Sequence, residues 1–394
     1  MSGANRFKSA RLRDAIIDPG GSILSSKSGI ITSLVIIVIV FGAVGGILLT
    51  TNQYEPPSIA VVTLEPGFGD LNRDDNARQG MDNIAVNYSV QYYIPEELPS
   101  TAAEAETLME ELAESGNYLL ILAIGSDLES AVESVAAQYP EQQFAILGAA
   151  VNADNVASAT FATEQAAFLG GVLAAFLAHE QPYFGSTNFT GEIGILSGVV
   201  GDPVTDDLIA GFIQGVEAAN ETYDLNVGIT QTLYVGSWND TTTAEVRTYT
   251  MFVQNNVSLI FAPVRASMPG VRAAMFRAQA AFPIQQRNAG RLPLVIASGA
   301  NLDYYGTADP ETPTDPSYIA TSVVPHFDWA VYDIVDATLW DRFPGGQVFQ
   351  YNLANGGANI TAFTYSSTYI SDESTEAISD YIDLIVEGTI EVTP

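Results

Sequence analysis

The chain has 394 residues, 47% of them hydrophobic, which is enough for more than one buried core. Its formal net charge of −32 would repel phosphates, so no nucleic-acid partner is expected. With no cysteine and two histidines it offers no disulfide, thiolate metal site or cysteine nucleophile, and neither a metal nor a cofactor is expected.

Charge is unevenly distributed along the chain. Residues 1–28 form a basic tail, with Arg6, Lys8, Arg11, Arg13 and Lys27 against Asp14 and Asp18. Residues 29–50, "GIITSLVIIVIVFGAVGGILLT", hold no charge. A helix of that length spans a hydrocarbon core of roughly 30 Å, and the basic flank predicts a cytoplasmic N-terminus. This makes the chain a single-pass plasma-membrane protein whose remainder is extracellular. A cleaved signal peptide is the competing reading, with an unusually long n-region and no A-x-A-like site. A linker over 51–56 follows. Five of the 14 basic and two of the 46 acidic residues precede it, leaving nine arginines, 44 acids and a formal charge of −35 outside. Such a surface suits high salt, which screens repulsion, or simply an acidic secreted protein. Sequons at Asn87, Asn188, Asn220, Asn239, Asn256 and Asn359 fit an external domain, although a chain rich in Asn and Thr makes several by chance.

From there apolar runs alternate with helical patterns. Strands are predicted at 58–64, 118–124 and 143–149, with helices at 74–88, 101–116 and 128–140 between and after them. Gly116 marks the second helix's end. A helix at 163–180 opens a second set: strand 191–198, helix 204–220, strand 227–236, helix 241–256, strand 257–264, helix 269–282 and strand 292–300. Alternating β and α units imply parallel sheets covered on both faces, and two such sets imply two α/β lobes. Open parallel sheets bind ligands beyond their C-terminal strand ends. The turns after Leu64, Ile124, Leu147, Leu196, Val235, Val264 and Ile296 are therefore the candidate site, with Ser126 in the second of them. "LYVGSWND" (233–240) places Trp238 in another, where its ring can line a wall for a planar or apolar group or merely fill the turn. Asp240 reads as the N-cap of the next helix through Thr243.

These pieces, in this order, resemble the basic membrane protein family of ABC-transporter substrate-binding proteins. The resemblance runs from about Pro57 to Pro394. It rests on "AVESVAAQYPEQQFAILGAAVNADNVASATFATEQAAFLGGVLAA", "GEIGILSG", "IAGFIQGVEAAN", "YVGSWND", "IATSVVPHFDWAVYDIV" and "YIDLIVEGTIEVTP". It implies two doubly wound lobes joined by a three-crossover hinge, the type I periplasmic-binding-protein fold. The first lobe would take 57–162 plus about 322–345, the second 163–321 plus about 346–394. It also implies a small-molecule ligand, commonly a purine nucleoside, and separate permease and ATPase partners. Most members are lipoproteins held by an N-terminal Cys, which this chain lacks.

Carried over position by position, the family's nucleoside pocket is altered. Its base-binding acid falls at or beside Glu65. Its Asp-x-x-Phe-Asn turn becomes Asp70, Leu71, Asn72, Arg73 and Asp74, so Asp70 is kept and a ring becomes Arg73. Its Gly-rich turn near 260–267 holds Arg265. Ser298 or Asn301 stands nearest its ribose-binding Asp, and its Lys lands on Pro325 beside His326. An arginine fork suits a carboxylate or phosphate, the alternative being solvated surface arginine. "GDLNRDDN" (69–76) has the D-x-N-x-D start of a calcium loop, but Asp75 replaces the required Gly and Met81 the bidentate Glu. Gly170–Gly171 and Gly345–Gly346 read as packing and turn glycines. The expected function is capture of a nucleoside-like or anionic small molecule in an interlobe cleft. The alternatives are a non-transport surface receptor or structural protein with a filled cleft and, least supported, an enzyme, since no nucleophile is paired with a base.

Overall fold

The computed structural model describes residues 56–179, 191–288, 290–314 and 316–394. The expected tail, the expected membrane helix, most of the linker and Asn188 lie outside the described residues. Within them no helix is long and apolar enough to cross a membrane.

The first lobe begins with β1 (Ser58–Thr63), α1 (Arg73–Asn87), β2 (Gln91–Tyr93), α2 (Ala102–Ser115), β3 (Leu120–Ile124), α3 (Glu129–Gln138), β4 (Phe144–Leu147) and β5 (Val156–Phe161). The second follows with α4 (Thr163–His179), β6 (Glu192–Ser197), α5 (Pro203–Tyr223), β7 (Gly228–Tyr234) and α6 (Thr241–Val253). It continues through β8 (Leu259–Phe261), α7 (Met268–Ala281), α8 (Ile284–Asn288), β9 (Leu294–Ser298) and β10 (Ile319–Pro325). The chain then returns to the first lobe for α9 (Phe327–Leu339) and β11 (Val348–Tyr351), and crosses back for β12 (Ala358–Ile360) and α10 (Asp372–Val386).

Each lobe holds a six-stranded sheet, in the order β11-β5-β4-β3-β1-β2 in the first and β12-β10-β9-β8-β6-β7 in the second. Among the described residues the named strands all pair in parallel except β10 with β12. That antiparallel edge was not expected. The expected lobe division at 322–345 is also displaced. All of β10 to Pro325 belongs to the second sheet and β11 to the first, so the returning segment covers α9 through Tyr351.

The strands show why such runs fold into covered sheets. Along β3, Leu120, Leu122 and Ile124 enter one core beneath α1 and α9, while Ile121 and Ala123 enter the other beneath α2 and α3. The same two-residue period splits β9, with Leu294 and Ile296 facing α4 and α5 and Val295 and Ala297 facing α6 and α7. Burying a Leu or Ile side chain stabilises by about 1.5–3 kcal/mol, so a strand buried on both sides is held from each. The helices stop where their ends are capped. Thr101 accepts from Glu104 N–H at the start of α2, and Gly116 ends it at φ 64°. Asp240 caps α6 through Thr243 N–H at 2.9 Å, as the sequence predicts.

Gly170 and Gly171 are packing glycines. A Cβ on Gly171 would lie 2.1 Å from the Phe212 carbonyl, and one on Gly215 1.9 Å from that of Phe168. Helices α4 and α5 thus meet backbone to backbone. Three crossings join the lobes, and each brings a ring to one column. Phe161 ends β5, Phe327 opens α9 and Tyr351 ends β11. Phe161 stacks on Phe327 at 4.2 Å and on Tyr351 at 5.2 Å between centroids, and the Tyr351 hydroxyl donates to Asp333 at 2.8 Å.

Candidate functional site

A cavity of about 140 Å³ lies between the lobes at the C-terminal ends of both sheets. The first lobe lines it with the start of α1, the turn after β3 and the end of β5; the second with α5, the turns after β7 and β8, and the end of β9.

The first turn of α1 is built by Asn72. Its Oδ1 accepts the Arg73 N–H at 2.8 Å, and its Nδ2 donates to the Ser298 carbonyl at 3.0 Å, across the lobes. Gly299, at φ 93°, leaves room for that carboxamide; a Cβ there would lie 2.1 Å from it. Arg73 itself is only 7% exposed. Its guanidinium lies against Gly125, where a Cβ would come within 2.6 Å of Nη2, and Nη2 donates to Asp127 at 3.1 Å. Nε stands 3.8 Å from Asp74 and makes no hydrogen bond. Burial pulls the Arg73 pKa down, but Asp74 and Asp127 outweigh it and leave the group above its ordinary value.

The second lobe answers with Arg265. The Arg265 Cζ sits 4.4 Å from the centre of the Trp238 ring. The ring also lies against Gly198, where a Cβ would lie 2.1 Å from it. Trp238 therefore lines the cavity as a platform for a cation, a contact worth about 0.5–2 kcal/mol, rather than as a bare wall for a planar ligand. Arg265 adopts φ 47°, the left-handed conformation that a Gly-rich turn takes freely and that costs another residue about 1–2 kcal/mol. Its guanidinium makes no hydrogen bond and no ion pair among the described residues. Its pKa is lowered, by burial first and then by the charge of Arg73.

Five of the ten expected residues, Arg73, Ser126, Trp238, Arg265 and Ser298, line the cavity. The other five do not. Glu65 is exposed on a turn tied to the Pro99 carbonyl. Asn301 is exposed and accepts from the Asp303 N–H. His326 is engaged by Asp328 at 3.0 Å and stacks on Trp329. Asp70 and Asp74 are buried behind the lining. Asp74 accepts from the Thr63 hydroxyl. Burial, then the charge of Asp74, raises Asp70 well above the usual carboxylate range. The calcium-like loop closes on itself instead, with Asp75 accepting from the Gly69 and Leu71 amides. No group of three His, Cys, Asp or Glu side chains among the described residues is arranged to hold a metal.

Phe161, Phe327, Thr205 and Asp207 line the cavity without having been expected there. Phe161 ends a strand of small residues, "VASATF", with little strand signal, and Asp207 lies on a helix whose register toward the cleft no periodicity reveals. Of the sequons described, Asn87, Asn239 and Asn256 are exposed and Asn220 and Asn359 half-buried.

The family profile described as ABC transporter substrate-binding protein PnrA-like matches residues 58–393. The chain is 26% identical over 331 residues to the "ABC transporter nucleoside-binding protein BmpA" of Lactococcus lactis, covering 82% of this chain and 86% of that one. It is 27% identical over 336 residues to an uncharacterized lipoprotein of Pyrococcus furiosus, covering 84% and 76% respectively. A solute-binding protein of an ABC transporter system from Aeropyrum pernix shares the fold, with a TM-score of 0.72 at 24% identity over 86% of this chain and 94% of that one. The match of the family profile to nearly all of the two lobes shows that this chain belongs to the Bmp family of ABC-transporter substrate-binding proteins.

Proposed function

We propose that the chain is the solute-capturing subunit of an ABC importer, closing its lobes on a nucleoside-like or anionic small molecule and passing it to a separate permease and ATPase. The observation that carries this is the unfilled interlobe cavity, spanned by the Asn72–Ser298 hydrogen bond, at the strand ends where such folds bind ligands. A filled cleft would have favoured a surface protein without a ligand. The uncharged run 29–50 and its basic flank support tethering at the outer face of the plasma membrane. Closure favours the ligand-bound state because the ligand touches both lobes only when they meet.

Thermal denaturation of the whole chain in detergent, against nucleosides, nucleotides, sugars and amino acids, tests the capture reading. One class should raise the melting temperature in a saturable manner, since a ligand of the folded state alone stabilises it. A flat response to every class would refute capture. Recovery of the mature protein without residues 1–50 would refute the anchor.

A further inference from the structure

The cavity brings together two arginines of a chain that holds nine beyond its N-terminal segment. Arg73 spends one nitrogen on Asp127, a carboxylate 41% exposed, and keeps a buried Nε with no hydrogen bond. Arg265 spends its ring-facing side on Trp238 and, among the described residues, nothing on an acceptor. Two guanidinium groups from opposite lobes therefore line one small space with donor capacity unspent. Like charges in a poorly solvated site repel, and a fork of free donors is suited to the oxygens of an anion. The charge of Arg73 lowers the Arg265 pKa, second to burial, which agrees with their sharing one cavity. The left-handed backbone at Arg265 keeps this side chain where an ordinary turn residue would be less strained.

Resting on the solute-capture reading above, we propose that Arg73 and Arg265 form an oxyanion site, and that the solute carries a phosphate or carboxylate held between the lobes. Hydroxyl or amino groups on the remainder of the solute meet Asp207, which lines the same cavity. At about 140 Å³ the space is below the roughly 300 Å³ at which small-molecule pockets usually begin, which favours a compact solute. The anion also acts as the closing element, because its charge offsets a repulsion that the two lobes otherwise feel on meeting.

The test uses the whole chain in detergent at low salt, with inorganic phosphate, D-ribose 5-phosphate, D-gluconate, D-ribose and inosine as probes, read by calorimetric titration and thermal denaturation. A phosphate or carboxylate probe should bind and raise the melting temperature, while D-ribose should not; the two anionic arms tell phosphate from carboxylate. Arg265→Gln should weaken that binding by about a hundred-fold or more, while the unliganded protein still unfolds in one cooperative transition at a melting temperature only slightly lowered by the lost Trp238 contact. Arg265→Lys, which keeps the charge but loses the fork, should recover only part of it. Tight inosine binding unaffected by Arg265→Gln and Arg73→Gln would overturn the oxyanion site and leave solute capture standing. If no anionic probe binds at millimolar concentration, the oxyanion site also falls, and if inosine and D-ribose fail as well, capture is put in question with it.

Discussion

Asn72 performs two tasks that substitution can separate. Its Oδ1 caps α1, and its Nδ2 ties that helix to the Ser298 carbonyl on the other lobe. Asn72→Ala removes both. A lost cap costs about 1 kcal/mol and a lost hydrogen bond about as much again, so the first lobe should lose stability and the lobes their tie. Asn72→Asp retains a capping oxygen at a helix N-terminus, where negative charge is favourable, but has no donor for the carbonyl. It should therefore leave the melting temperature close to the parental value while costing the closed arrangement about 1–1.5 kcal/mol, a shift of roughly ten-fold in the ratio of closed to open. The absence of cysteine makes the measurement clean. Glu129→Cys and Asn239→Cys place one dye on each side of the cleft at exposed positions. Energy transfer should fall in both Asn72 variants, and only Asn72→Ala should also melt earlier. Parental transfer efficiency in Asn72→Asp would refute the idea that this bond holds the lobes together.

Asp303 is 2% exposed and held by Ser322 and Thr361 through one oxygen only; burial raises its pKa to about 6. Since the folded state keeps that proton to higher pH than the unfolded chain, stability declines as pH rises from about 4 through 6, and Asp303→Asn should escape the decline. The variant's stability relative to the parent should grow by about 2–3 kcal/mol between pH 4 and 7, measured by urea denaturation, and an unchanged difference would show that Asp303 ionises without cost. Gly215→Ala must push α4 from α5, because its Cβ meets backbone, and should cost about 1–3 kcal/mol, whereas Gly228→Ala, with nothing within 4 Å, should be close to neutral in the same assay. Added sodium chloride should raise the melting temperature, mostly below about 1 M, as repulsion among the carboxylates is screened; a flat response would show them too dispersed to matter.

Strands such as "YLLILAI" were legible because burial on both faces leaves only apolar residues, and Asp240 because a cap is a local bargain between one side chain and the next turn. The edges were not. In β2 and β11 exposed and half-buried residues alternate, which resembles loop, and β5 is built of Ala, Ser and Thr, whose packing is decided by what lies above them. At the cleft, sequence pointed to the strand ends, and the two arginines it singled out line the cavity. It could not show that Trp238 would be covered by one of them, since that contact joins residues 27 positions apart through two separate turns. Nor could it place Asp70 and Asp74 behind the cleft, because an acidic turn reads alike whether it faces solvent, ligand or its own helix.

The column of Phe161, Phe327 and Tyr351 has a mechanical consequence. Each ring belongs to a different connection between the lobes, so a bend that moves one of these residues slides its ring over a neighbour. Flat faces in contact shear more readily than they separate, because sliding conserves contact area while parting exposes it to water. The three connections are thus geared to one another, and opening should follow a single rotational coordinate rather than three independent bends. The cleft walls then return to the same register at every closure, and a solute meets the same arrangement of side chains each time.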